Sequence, residues 1–271
     1  MKGFLRRLAI GLTGNERGQR FLGRTAERIL ALMGIGTGGL VESSGERALI
    51  RRLLERRRPD DDALCVFDVG ANEGTFVALV RAGLGETPHR IHAFEPGPET
   101  FCLLQERVGG ASDVTLNRTA LGNAEGSLPF YSDRPGSPLA SLYPRDLSRF
   151  GIAMNRVDPV PVTTLDRYCE SHGIERIDLL KLDVEGHELE VLRGASRMLG
   201  EKRIRMVTFE FGGCHVDSRA FFRDFHDLLT AAGLGRICRI TPSGHLSPVG
   251  PYRVLLEQFQ TTNYLACSDD S

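Results

Sequence analysis

The sequence predicts an α/β protein built on a mostly parallel sheet with crossover helices, preceded by a helical extension. Three observations predict it. Short apolar runs alternate with helix-period segments from residue 63 onward, the pattern of strand–helix–strand units. A glycine-bent corner, Gly70–Gly74, follows the first of those runs, where α/β sheets hold ligands. The 271 residues, 41% hydrophobic and 25% charged, suit one large soluble domain and exclude collagen-like, low-complexity and wholly disordered chains.

The elements follow in order. Residues 1–58 carry Leu5, Leu8, Ile29, Leu32, Leu49 and Leu53 at mixed helical spacing, interrupted by Gly34–Gly39, which reads as two helical pieces and a hinge. Pro59-Asp60-Asp61-Asp62 then punctuates the chain, and Leu64–Val69 is an apolar run bounded by turn residues, the mark of a buried strand. The core domain therefore spans 63–271. Thr75–Ala82 reads as a helix, Ile91–Glu95 as a strand, Glu99–Val108 as a helix and Val114–Asn117 as a strand. Between Ala120 and Pro161, Pro129, Pro135, Pro138, Pro144 and Pro159 leave no sustained period, and a short hairpin with a long loop is expected. Regularity returns with a Thr164–His172 helix, an Ile177–Val184 strand, a Glu188–Leu199 helix, an Ile204–Phe211 strand and a helix from Ser218 to Ala232 closed by Gly233. Arg236–Ile240, Arg253–Leu256 and Tyr264–Ala266 read as closing strands.

Net charge is −1, which gives no whole-molecule field to attract nucleic acid. It hides an asymmetry: residues 1–58 hold 13 Lys+Arg against 5 Asp+Glu, and the remainder 21 against 30. The Arg51-Arg52 and Arg56–Arg58 clusters suit weak peripheral contact with an anionic membrane as well as a plain solvated helix face. Six scattered cysteines without a CxxC pair indicate a reducing compartment and buried thiols rather than a disulfide scaffold. The apolar stretch after Lys2, Arg6 and Arg7 is too short for a signal peptide, and no uncharged stretch spans a bilayer, so a cytoplasmic location is expected.

Two constellations carry chemistry. Asp68-Val69-Gly70-Ala71-Asn72-Glu73-Gly74 joins the first buried strand to its helix, and its G-x-x-x-G spacing misses the G-x-G-x-x-G diphosphate fingerprint. Glu95 ends the next strand, where a carboxylate accepts both hydroxyls of a ribose. That acid serves a dinucleotide and S-adenosylmethionine equally, but an acidic strand end with no pyrophosphate loop suits the cationic amino-acid half of S-adenosylmethionine. A tight strand-to-helix turn without a ligand is the plainer alternative. The second constellation is Lys181-Leu182-Asp183-Val184-Glu185-Gly186-His187-Glu188, a strand whose carboxyl end gathers acids and a histidine facing the same crevice. Period-two alternation puts Lys181, Asp183 and Glu185 on one side. Asp183 and His187 are candidate bases, with Glu185 crowding Asp183; helix-dipole or ion-pair roles are the structural alternatives. His215 and Cys214 rank lower, and Phe221, Phe222 and Phe225 read as core. No H-x-x-x-H or EF-hand-like spacing occurs, so no metal is expected.

Val66–Gly74, Ala93-Phe94-Glu95-Pro96, Thr164-Leu165-Asp166 and Asp178–Gly194 (DLLKLDVEGHELEVLRG) together resemble the FkbM family of S-adenosylmethionine-dependent methyltransferases. The resemblance runs from about residue 63 to 266 and leaves the first 58 residues outside. It implies a class I methyltransferase fold, Rossmann-like, with a seven-stranded, mostly parallel sheet, its last strand antiparallel and helices on both faces. By the same resemblance Asp68, Gly70, Asn72 and Gly74 hold the methionine part of the cofactor, Glu95 the ribose, and Asn117 and Ala120 the adenine. A hydroxyl on a sugar, glycolipid or natural product is the implied acceptor. Ser141 and the long 132–160 loop are expected to cover the substrate. Two rivals stand beside this reading: an NAD-type oxidoreductase, which would need the missing third glycine or a Tyr-x-x-x-Lys pair, and a non-enzymatic module that binds through its basic head.

Overall fold

The computed structural model describes residues 2–39, 44–57 and 62–268; Pro59, Asp60 and Asp61, expected to punctuate the chain, lie outside the described residues. The N-terminal segment holds three helices rather than two: α1 (Lys2–Thr13), α2 (Glu16–Leu32) and α3 (Arg47–Glu55). Asn15 separates the first pair by capping α2, its side chain accepting from the Gly18 amide at 2.9 Å. The core then runs β1 (Leu64–Val69), α4 (Thr75–Leu84), β2 (His89–Phe94), α5 (Pro98–Val108), β3 (Val114–Asn117), β4 (Ala120–Leu121), β5 (Gly126–Ser132) and β6 (Arg156–Thr163). It continues with α6 (Leu165–Ser171), β7 (Leu179–Leu182), α7 (Glu188–Arg193), α8 (Ser196–Gly200), β8 (Met206–Phe211), α9 (Cys214–Ser218), α10 (Phe222–Ala231), β9 (Arg236–Ile240), β10 (Leu246–Pro248) and β11 (Thr262–Cys267).

The main sheet has the order β10-β9-β11-β8-β7-β1-β2-β3. β3, β2, β1, β7 and β8 are parallel, and β11 enters antiparallel to both β8 and β9. The order reverses at β1/β7, so their carboxyl ends open the crevice where such sheets bind ligands. Eight strands form this sheet where seven are expected, because β10 pairs with β9 as a short edge hairpin. The anticipated Arg253–Leu256 strand is instead a 3₁₀ turn over Val254–Leu256, with Val254 and Leu255 exposed.

Alternate residues of the buried strands feed two cores. Phe67, Val69, Leu180, Leu182, Val207 and Phe209 face α6, α7, α8 and α10, whereas Val66, Ile91, Ala93 and Leu179 face α3, α4 and α5. This is the two-faced burial that makes parallel strands continuously apolar. It also places α3 within the core domain. Leu49, Ile50 and Leu53 are buried against Val77 and Val80 of α4, each contributing about 1.5–3 kcal/mol. By contrast, no residue of α2 is buried.

The proline-broken stretch holds a second sheet, β4-β6-β5, with β5 and β6 antiparallel and β4 joined to β6 in parallel at its end only. Pro129 lies opposite Pro159, and β4 reaches only Val162 and Thr163. The prolines therefore sit where β6 has a free edge and needs no amide donor. Two other helices split: Glu188–Leu199 breaks at Gly194 between α7 and α8, and the segment after β8 divides into α9 and α10 at Arg219, whose φ is +60°.

Candidate active site

The turn after β1 shows why glycines stand there. Gly70 has φ +83°, and a Cβ on it would collide with the backbone carbonyl oxygen of Asp183. The β1 and β7 ends thus touch, backbone to backbone. Gly74, at φ +82°, starts α4, and a Cβ there would lie 2.7 Å from the Leu104 side chain. Four of the turn's amides are engaged. Gly70 and Ala71 donate to the Phe94 carbonyl at 3.0 and 2.9 Å, Asn72 to Glu95 Oε2 at 3.1 Å, and Gly74 to the Ala71 carbonyl at 2.8 Å. Where Gly70, Ala71 and Asn72 have spent their amides, the corner presents a carboxylate and an amide oxygen. Gly97 donates to the other oxygen of Glu95 at 2.8 Å, fixing the carboxylate with lone pairs to spare. Burial pushes the Glu95 carboxyl up to about 7, against those two amide bonds. The side-chain oxygen of Asn72, itself at φ +49°, is buried without a partner.

Below the turn lies a buried charge cluster. Lys181 Nζ sits 3.0 Å from Asp183 Oδ2 and 3.6 Å from Asp68 Oδ1, with the Phe76 ring centroid at 5.2 Å. Burial alone would discharge the lysine, but the Asp183, Asp68 and Glu46 carboxylates outweigh it and raise its pKa. Asp68 is fully buried and pushed up to about 6 by desolvation, with Lys181 opposing. Asp68 therefore supports the corner from beneath rather than facing the cavity.

Glu188 explains the sharp bend after β7. Its carboxylate accepts from the amides of Val184 at 2.9 Å and Gly186 at 3.0 Å, and His215 Nε2 lies 3.0 Å from it. Burial works against ionisation, yet His215 and these amides hold the Glu188 carboxyl below its ordinary range. The strand ends at Leu182, so alternation does not extend to Glu185, which reaches φ +53° and pairs with Arg145. Arg145 also lies 3.8 Å from Asp217. Desolvation raises Glu185 to about 7, opposed by Arg145. Thr164 and Asp166 have structural work: Thr164 caps α6, and Asp166 accepts from the Arg197 and Met198 amides that begin α8.

These corners surround one cavity of about 880 Å³, within the roughly 300–1,000 Å³ of small-molecule sites. Gly70, Asn72, Glu95, Ala120, Asp183 and Glu185 line it. Gly74 and Asn117 do not; Asn117 donates to the Ala93 carbonyl at 3.1 Å and finishes the β2–β3 pairing. Thr119 and Leu121 flank Ala120 on the wall in its place. His187 also stands apart. It is buried against Gly122 and the Tyr143 ring, neither ring nitrogen has a hydrogen-bond partner, and burial lowers its pKa. Residues 137–150 roof the cavity, Leu139, Leu142 and Phe150 among them. Ser141 fastens that roof, donating to the Glu185 carbonyl at 2.7 Å. Cys214 lines the cavity, while His215 is wholly buried beneath it.

Sequence reasoning missed Glu210 and Arg145. Glu210 lines the cavity from β8, and burial reinforced by Asp183 and Glu185 raises its pKa well above the usual range. Its signal was available: one acid within the fully buried strand Met206-Val207-Thr208-Phe209-Glu210-Phe211 has no packing reason to be there. Arg145, in an aperiodic loop, carried none.

Comparison with known proteins gives a match to the methyltransferase FkbM domain over residues 68–234. The hexuronic acid methyltransferase AglP of Haloferax volcanii is 31% identical over 169 residues, 62% of this chain and 64% of that protein. The 2-O-methyltransferase NoeI of Sinorhizobium fredii is 28% identical over 167 residues, 56% of this chain and 63% of that protein. The chain thus spans slightly less than two thirds of each of these relatives. A solved structure titled methyltransferase FkbM from Methylobacillus flagellatus superimposes at a TM-score of 0.46 with 17% identity, covering 83% of this chain and 55% of that one.

Proposed function

Because this chain belongs to the FkbM methyltransferase family, we propose that it transfers a methyl group from S-adenosylmethionine to a hydroxyl of a sugar, glycolipid or natural product. The observation that carries the reading is the corner at Gly70–Asn72. With the Gly70, Ala71 and Asn72 amides spent on Phe94 and Glu95, it offers oxygen acceptors to a cationic ligand, and its G-x-x-x-G spacing lacks the third glycine of the dinucleotide alternative. The residues fit the cofactor: the orphaned Asn72 oxygen and the cavity face of Glu95 are acceptors for its ammonium and ribose hydroxyls, and Ala120 lies where a flat base needs a small neighbour. Bound there, the cofactor supplies an activated methyl group, so positioning is most of what the protein must contribute.

The chain's own residues then divide the work. Lys181 anchors Asp183 at the β7 tip, and Glu188 holds the bend that brings Glu185 beside it. Asp183 and Glu185 orient the acceptor hydroxyl and take up its proton; His187, outside the cavity, does not. The 137–150 roof excludes water. Relatives described as a hexuronic acid methyltransferase and a 2-O-methyltransferase favour a sugar hydroxyl. Incubation with labelled methyl donor and a panel of glycosides tests this: label appearing as a methyl ether supports it, and label found only on amines or carboxylates refutes O-methylation.

A second feature bears on partners. Arg17, Arg20, Arg24 and Arg28 form a stripe along α2, and the exposed Phe21, Leu22, Ile29 and Leu32 form a band beside it, a pattern suited to a helix lying in an anionic lipid surface. Gly36 and Gly39, just beyond α2, line the cavity, so a lipid-borne acceptor would meet the site directly. Co-sedimentation of the full chain with anionic vesicles at low salt is expected, and equal binding to neutral vesicles would discount it.

A further inference from the structure

Three carboxylates, Asp183 and Glu185 just after β7 and Glu210 on the neighbouring strand β8, come together at the cavity floor. Ligand oxygens of Asp183, Glu185 and Glu210 all lie within 4.8 Å of one another, close to the span of one coordination sphere, since trans oxygens stand roughly 4.0–4.2 Å apart about Mg²⁺ and roughly 4.6–5.2 Å about Ca²⁺. All three line the cavity. Grouping alone would say little, since acids cluster on many surfaces. Glu210 supplies the second observation: its side chain is nine-tenths buried, faces the cavity, and forms no hydrogen bond or ion pair with any described residue. A buried polar group of this kind is costly unless something absent from the protein partners it.

The charge balance points the same way. Among the described residues, Asp68, Asp183, Glu185 and Asp217 pair with two cationic side chains, Lys181 and Arg145, each shared between two acids, and Glu210 pairs with neither. Asp183 commits Oδ2 to Lys181, and Glu185 commits Oε2 to Arg145, so each keeps one oxygen free. Glu210 keeps both.

We propose that Asp183, Glu185 and Glu210 form a site for one divalent cation of the magnesium or manganese kind, which holds the acceptor through two neighbouring oxygens. The ligand set is all oxygen, which selects a hard cation over zinc or copper. Three protein oxygens leave coordination positions open toward the cavity, and a vicinal diol or an α-hydroxy acid fills two of them. The cation would polarise the hydroxyl to be methylated. The substrate consequence rests on the methyltransferase reading above; the cation site itself does not.

The test uses the full chain, stripped with EDTA and titrated with Mn²⁺ by calorimetry and electron paramagnetic resonance. One Mn²⁺ per chain is expected, displaced by Mg²⁺. Glu210→Gln and, separately, Asp183→Asn should each weaken it at least tenfold, with circular dichroism melts reporting that either variant is folded. Absence of binding by wild type at about 10 mM Mn²⁺, above the range of weak protein sites, overturns the proposal, as does unchanged Mn²⁺ affinity in folded variants. Mn²⁺ binding without S-adenosylhomocysteine binding would leave the cation site standing and remove the methyltransferase reading. S-adenosylhomocysteine binding without Mn²⁺ binding would do the reverse.

Discussion

Lys181 is the residue on which the floor of the site depends. Among the described residues it is the one cation paired with both Asp68 and Asp183, and Lys181→Met would leave those two carboxylates without their counter-charge. Breaking a buried pair from one side costs about 3–5 kcal/mol, so urea unfolding should lose that much; a loss under ~1 kcal/mol would mean the cluster is solvated. Glu95 gives a pH signature. Its folded carboxyl lies near 7, above the ordinary value of 4.5. A raised carboxyl binds its proton more tightly folded than unfolded, so its contribution to stability falls as pH rises from 4.5 to 7. Cofactor binding runs the other way, because two ribose hydroxyls need the carboxylate. Affinity for S-adenosylhomocysteine should therefore weaken as pH drops below 7, and Glu95→Gln should flatten that dependence; a pH-independent affinity in wild type would contradict the role. At this scale the sequence was partly readable. Glu95 and Gly70 announced themselves by position after buried strands, and Asp183 by sitting at a strand end. Asn117 and His187 misled, because a polar residue near a strand end gives no sign of whether it faces the crevice or closes a backbone bond. Glu210 was readable as an acid in an apolar strand, but its meeting with Asp183 and Glu185 was not, since the β7–β8 pairing brings it there rather than any spacing.

At the scale of elements, the β1–α4 turn is the tightest constraint. Gly70→Ala would force a left-handed conformation, costing about 1–2 kcal/mol, and would also push β7 away through the Asp183 carbonyl. A drop in melting temperature accompanied by loss of cofactor binding is expected, and a variant that melts like wild type would refute the backbone contact. The element pattern was legible where alternation is simple, from β1 through β3 and from α6 through β8. It held in part between Ala120 and Thr163, where the expected hairpin and long loop are β5, β6 and residues 133–155, and failed only for β4, which joins β6 in parallel. It failed again at α3, assigned to the extension because its arginines are conspicuous, although Leu49, Ile50 and Leu53 are buried in the core.

For the molecule as a whole, the N-terminal segment divides at the Gly34–Gly39 hinge rather than at residue 58. Removal of residues 1–33 should leave a cooperatively folding protein, since α2 buries nothing. Removal of residues 1–57 strips three core aliphatics, each worth roughly 2–5 kcal/mol by truncation, and should abolish cooperative unfolding; equal melting of the two truncations would contradict this division. The strand order could not be read from sequence, because nothing local tells β11 to insert between β8 and β9. That insertion matters to the site: it brings Thr261, just before β11, to the cavity wall, where its carbonyl accepts from the Gly36 and Gly38 amides. The most direct measurement is calorimetric titration of the full chain with S-adenosylhomocysteine and, separately, with NAD. One S-adenosylhomocysteine per chain is expected, weakened at least tenfold by Glu95→Gln, with no heat from NAD; saturable NAD binding with none for S-adenosylhomocysteine would contradict the account.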